Sequence, residues 1–180
     1  KVLVGRMRDG GGTTDLVRHL MSGIGGRVAE TLSADFENEP FDLQHQILQI
    51  LGHHAEVGSM EVLMKAMLGP DDRLSKDGCE LLSARLQEVS EEDRKGFREA
   101  IYARIKTLKG LTPVGLSNGL RIMAEINVTQ SRTTLLKFAQ EGHPPEVRQA
   151  SLLGLAEATL TQAQSDTILG YFEDPDLIFV

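Results

Sequence analysis

The sequence predicts an all-α protein built as a stack of helical hairpins. Composition is the first reason: aromatic residues make up only 4% and tryptophan is absent. Leu, Ala, Met and Glu are plentiful instead, a balance that suits helix-on-helix packing and is poor material for a large sheet. Spacing is the second reason, because apolar residues recur three and four positions apart along most of the chain. Punctuation is the third. Glycines, prolines and capping residues interrupt these stripes, so that hairpins recur at roughly 30 to 40 residues, within the range of helical solenoids.

Length and charge set further bounds. The 180 residues hold about four to five hairpins with a substantial shared core. A hydrophobic fraction of 41% excludes global disorder, and no apolar run approaches the roughly 18 residues needed to span a bilayer. The net charge of −7 opposes nonspecific attraction to nucleic acid or an anionic membrane. The lone cysteine, Cys79, excludes an internal disulfide and fits a reducing, cytoplasmic setting.

Residues 1–39 read as a degenerate helical unit with glycine-rich loops. Asp9–Thr14 contains a glycine run beside two threonines, but lacks the Gly-Lys-Ser/Thr of a phosphate loop. A flexible turn ending in a Thr N-cap is the simpler reading. Leu16, Val17, Leu20 and Met21 make a short amphipathic helix, and Arg27–Ser33 add another helical turn.

The repeat array runs from 40 to 180. In the first hairpin, 40–69, Leu43, Ile47, Ile50 and Leu51 lie at helical spacing. Ser59 caps the partner helix, where Met60, Leu63, Met64, Met67 and Leu68 form a one-sided stripe, read as core. Gly69-Pro70-Asp71-Asp72 breaks the chain and opens the second hairpin, 70–110, with acids at a helix start. Leu74, Gly78, Leu81, Leu82, Leu86 and Val89 carry its first helix. Ser90-Glu91-Glu92-Asp93 begins its second, whose stripe is Phe97, Ala100, Ile101, Ile105 and Leu108, with Gly110 as the stop. The third, 111–142, starts with Thr112-Pro113 as cap and first turn, and turns at Asn127-Val128-Thr129 toward Leu135, Leu136, Phe138 and Ala139. The fourth spans 143–173. Its second helix opens on the capping box Thr161–Gln164 and is carried by Ser165, Ile168, Leu169 and Phe172. A further unit starts at 174–180.

The most telling stretch is Glu141–Ala158. Gly142 ends one helix, and Pro144 and Pro145 forbid its continuation while presetting the next. Val147, Ala150, Ser151 and Gly154 then share one face, with small residues at 150 and 154 inviting a neighbouring helix close. Gly154→Leu should therefore overpack, whereas Gly154→Ala should gain helix propensity. Pro-Glu-Val-Arg-Gln-Ala followed by Leu-Gly-Leu-Ala resembles the first helix of a HEAT repeat. Leu51-Gly52 and Met123-Ala124 occupy equivalent places, so the resemblance covers about Pro40 to the C-terminus. It implies a right-handed α-α superhelix of HEAT-like (armadillo-type) hairpins, with second helices lining the inner surface.

Candidates for chemistry are few. His45, His53 and His54, with Glu56 after them, sit on or beside one helix, but His45 and His53 are about two turns apart, too far to share one ion unaided. Hydrogen bonding between helices is their ordinary role. Cys79 has no local base or second thiol. Acids cluster at helix starts, where capping and the helix dipole explain them. No catalytic residue, cofactor or metal site is expected.

One feature departs from the mean charge. Arg94, Lys95, Arg98, Arg104, Lys106 and Lys109 follow one another in the second helix of the 70–110 hairpin, forming either a candidate basic ridge or a solvated face that pairs with its own acids, Glu92 and Glu99. A protein of this kind is expected to be a noncatalytic interaction scaffold that presents such a surface to a partner, as a segment of a larger protein. Two alternatives follow from the resemblance: nucleic-acid binding, as in HEAT-like alkylated-DNA repair proteins, and catalysis of the HEAT-like bilin lyase type. Nucleic acid is disfavoured by charge, and no residue diagnostic of the lyase is present. Leu177, Ile178, Phe179 and Val180 make a poor polar cap, so self-association through that end is also expected.

Overall fold

The computed structural model of the chain describes Leu32, residues 36–171 and Leu177. The glycine run at 10–12, the helix expected from Leu16 and residues 178–180 lie outside the described residues. Within them the protein is all-helical, with seven α-helices and no strand. After a 3-10 turn at Phe36–Asn38 come α1 (Phe41–Leu51), α2 (Val57–Met67), α3 (Asp72–Arg85) and α4 (Glu91–Thr107). Then follow α5 (Pro113–Phe138), α6 (Pro145–Leu155) and α7 (Gln162–Tyr171).

The helix boundaries follow from local chemistry. Asp71 caps α3 by accepting the backbone N–H groups of Arg73 and Leu74. Ser90 caps α4 through the N–H of Asp93, and Thr112 caps α5 through that of Gly115. The turn expected at Asn127 is a single-residue break inside α5, where Asn127 adopts φ −163° and ψ 96°. Its side chain accepts the N–H of Gln130 at 2.9 Å and restarts the helix. The end of α4 comes earlier than Gly110 suggests. Leu108 takes a left-handed conformation, φ 52°, and its N–H bonds to the Ile105 carbonyl. That turn swings Leu108 out of the buried stripe to 50% exposure and leaves Lys109 beyond the helix.

One continuous core runs through the described helices. Ile47, Leu48, Ile50, Leu51, Met60, Leu63, Met67, Leu82, Ile101, Ile105 and Leu120 are buried within it. The methionine stripe is core as expected, except that Met64 is half-buried. Along α7 the expected stripe is thin: Ile168 is buried while Leu169 is 62% exposed. Leu177, expected to lie open at the end of the chain, is buried in the core.

Packing links each helix from α1 to α6 to others near it in the chain, though not always to the next one. Helix α2 lies chiefly against α3, α3 and α4 both pack on α5, and α5 has its largest contact with α6. Helices α3 and α4, expected as hairpin partners, share little direct contact, and α2 touches both instead. The tight pairs are therefore those joined by the Gly69–Asp71 turn and by the turns of residues 127–144.

A buried serine stitches two of these turns in the same way. Ser75 donates to the carbonyl of Met67 at 2.5 Å, and Ser131 donates to that of Met123 at 2.7 Å. In each case an Asx cap, Asp71 or Asn127, stands four residues before the serine. Each bond satisfies a carbonyl left orphaned near a helix end, in a setting where an unpaired one is costly. The motif recurs after three helical segments, not the two that a hairpin period implies. Asn118 adds a bond to Ser75 at 2.9 Å and Thr112 one to Asp72 at 2.7 Å, which dock the start of α5 on α3.

Candidate functional site

Helix α4 carries the ridge, and the structure divides it. Phe97, Ile101 and Ile105 are buried and form the face that packs inward. Arg104 falls to one side of this stripe, in a cleft shared with Phe36, Glu37, Lys65 and Asp71. Arg94, Lys95 and Arg98 line a different cleft, with Ile126, Asn127 and Gln130 opposite. Lys109 is exposed outside the helix. The six cations are thus not one surface, because a 3.6-residue period sends them to both sides of the helix.

Tyr102 is the residue that the sequence reading missed. It is 44% exposed on α4, one turn after Arg98 and one turn before Lys106. Lys95, Arg98, Tyr102 and Lys106 succeed one another at spacings of three and four, so they share a helix face. The signal was present in the sequence, since Tyr102 follows Ile101 and falls off the buried stripe.

The cleft beside this face measures about 580 Å³. Glu91 and Glu92 border it, along with Arg94, Lys95, Arg98, Ile126, Asn127 and Gln130. Its far wall is the break in α5, where the extended Asn127 opens the helix. Arg94 reaches only Gln87, at a long 3.4 Å. Arg98 is more unusual, with a side chain only 15% exposed. Its Nε is buried and has no hydrogen-bond partner, and its nearest acid, Glu99, is 3.9 Å away. A guanidinium has five donors, and leaving even the buried one at Nε without an acceptor is energetically costly.

Two other hollows hold less convergent chemistry. The Arg104 cleft, about 670 Å³, has an apolar lining of Phe36, Met64, Leu68 and Leu74 and a rim of mixed charge. Its Asp71 is already engaged as a helix cap. There, burial pushes the Asp71 carboxyl up, but the N–H groups of Leu74 and Arg73 and the Arg73 charge together bring it below the ordinary carboxylate value. A groove of about 520 Å³ runs between α5 and α6, floored by small residues including Ala124, Ala150 and Gly154.

The remaining candidates are structural. His45 Nδ1 lies 2.7 Å from Asp77 Oδ2, joining α1 to α3. Arg73 covers the Phe41 ring at 3.7 Å beside it. Burial pushes the Cys79 thiol up to about 11, which disfavours the thiolate a nucleophile needs. Among the described residues, no group of three or more His, Cys, Asp or Glu side chains is placed to hold a metal ion. No described helix is long and apolar enough to cross a membrane.

Compared with protein-family models, with curated proteins and with solved structures, the chain has no match.

Proposed function

We propose that this chain is a noncatalytic interaction module, a HEAT-like superhelical stack whose α4 face docks an acidic segment of a partner protein. The carrying observation is the exposed Tyr102 between Arg98 and Lys106 on one helix face. A tyrosine offers a large rigid contact with a polar tip at little entropic cost, and Tyr and Arg are the residues that most often anchor interfaces. The cations add complementarity for an acidic chain and speed its encounter. The packing of α2 on α3, of α3 and α4 on α5, and of α5 on α6 supports the superhelical part of this reading. The buried free thiol of Cys79 is consistent with a cytoplasmic setting.

Duplex nucleic acid is a poorer fit. Glu91 and Glu92 border the cleft that holds Arg94, Lys95 and Arg98, and Arg104 faces elsewhere. The cations of α4 therefore do not form the continuous track that would follow a phosphate backbone. Fluorescence anisotropy separates the readings, using a labelled Glu- and Asp-rich peptide and a labelled duplex as probes at rising salt. The module predicts saturable peptide binding that weakens with salt and no comparable binding of the duplex. Tighter binding of the duplex overturns it.

A further inference from the structure

We infer that the cleft between the first turns of α4 and the break at Asn127 is an oxyanion subsite, built for a carboxylate or phosphate group of the docked partner. The inference rests on the interaction reading above and assigns that surface its specific anchor. Three cations of one helix line it: Arg94, Lys95 and Arg98. Arg98 is the central one. Its side chain is enclosed by the fold, its Nε makes no hydrogen bond, and its contact with Glu99 is too long to be one. Buried donors are almost always satisfied, and the Nε of Arg98 is not; its terminal nitrogens are not enclosed in the same way and are the part of the fork open to an acceptor from outside. A planar fork of N–H groups matches a carboxylate or phosphate and binds it in a fixed orientation.

The opposite wall suits the same ligand. At Asn127 the helix of α5 is interrupted, and the side chain of Asn127 caps the N–H of Gln130. Asn127 and Gln130 both line the cleft and present polar groups across from the arginines. Ile126 supplies an apolar contact for the stem of an acidic side chain. Glu91 and Glu92 also line the cleft, where they oppose a dense polyanion more than a single group. The site is therefore fitted to one acidic side chain at a time.

The Arg98 Nε–H group can be followed directly by nitrogen-15 NMR of the arginine side chains. Inorganic phosphate and a Glu-rich peptide are titrated separately into the full chain. Both are expected to shift the Arg98 Nε–H signal saturably, the phosphate more weakly. Arg98→Gln should weaken the peptide roughly tenfold, as loss of a charged hydrogen-bonding partner implies. Glu91→Gln with Glu92→Gln, both exposed positions, should tighten both probes without touching the arginine. If the peptide binds and shifts the signals around Tyr102 while Arg98 Nε–H stays fixed, the subsite is wrong and the docking surface stands. If the peptide does not bind at all, both readings fall together. Should Arg98→Gln fail to fold, tightening by the paired glutamate variant supports the subsite, and unchanged affinity overturns it.

Discussion

A methyl group placed on Gly78 would lie 2.7 Å from the carbonyl oxygen of Leu63 and 2.8 Å from the amide nitrogen of Met67. Helix α3 thus crosses α2 with backbone almost against backbone, and only glycine permits it. Because the obstacle is main chain, it cannot swing aside as a side chain would. Gly78→Ala should cost about 1–3 kcal/mol despite its better helix propensity. Urea denaturation measures this, and an unchanged midpoint would show that α2 and α3 do not cross so closely.

Gly154 makes a second close approach, here to α5. A Cβ at that position would sit 2.9 Å from the Ala124 Cβ and 3.4 Å from the Leu135 side chain. The small-residue seam is therefore real, but it is tighter than the sequence suggests. Gly154→Ala, expected to stabilise by propensity, should instead destabilise by about 1 kcal/mol, and Gly154→Leu by about 1–3. Pairing Gly154→Ala with Ala124→Gly should recover the loss. Failure of that rescue in thermal unfolding would place the strain elsewhere.

Asp71 should give the fold a measurable acid limit. Burial raises its carboxyl, but the amides of Leu74 and Arg73 and the Arg73 charge outweigh that and hold it below 3.8, its ordinary value. A depressed folded-state value means that its contribution is complete above the ordinary value and fades as pH falls through the folded one. Asp71→Ala should cost about 1 kcal/mol near neutrality, the usual value of an N-cap. Asp71→Asn should keep most of the cap and lose the acid dependence. Equal acid sensitivity in wild type and Asp71→Asn would assign the effect to other carboxylates.

Leu108 illustrates a stabilising change. Its φ of 52° lies in the left-handed region, and its side chain is half exposed. The position is the one where glycine commonly ends helices. Leu108→Gly should therefore raise stability by about 1 kcal/mol, less whatever the leucine contributes by contact. A lower thermal midpoint for the variant would mean that contact matters more than backbone strain.

Much of the architecture was legible because it depends on local chemistry. Thr112-Pro113 and Ser90 announce helix starts through their own side chains, and Asn127 restarts a helix by capping Gln130. Pairing was less legible, because which helices touch depends on crossings such as Gly78 over Leu63, separated along the chain. The ridge was visible as a run of cations, but its division was not. Splitting Arg104 from Arg98 requires knowing where Phe97, Ile101 and Ile105 point, and Lys109 is lost because Leu108 bends back. The cleft itself joins α4 to a break in α5, a meeting that no local pattern encodes.

Tyr102 tests the proposed docking of an acidic partner segment on the α4 face most directly. It is exposed, so Tyr102→Ala should leave the fold intact. Leu169, 62% exposed on α7, provides the control. Anisotropy titrations of a labelled acidic peptide should show roughly tenfold weaker binding for Tyr102→Ala, in the range of an interface anchor. Leu169→Ala should bind as wild type does. Equal affinity in all three proteins would contradict the account, since the peptide would then be binding somewhere other than α4.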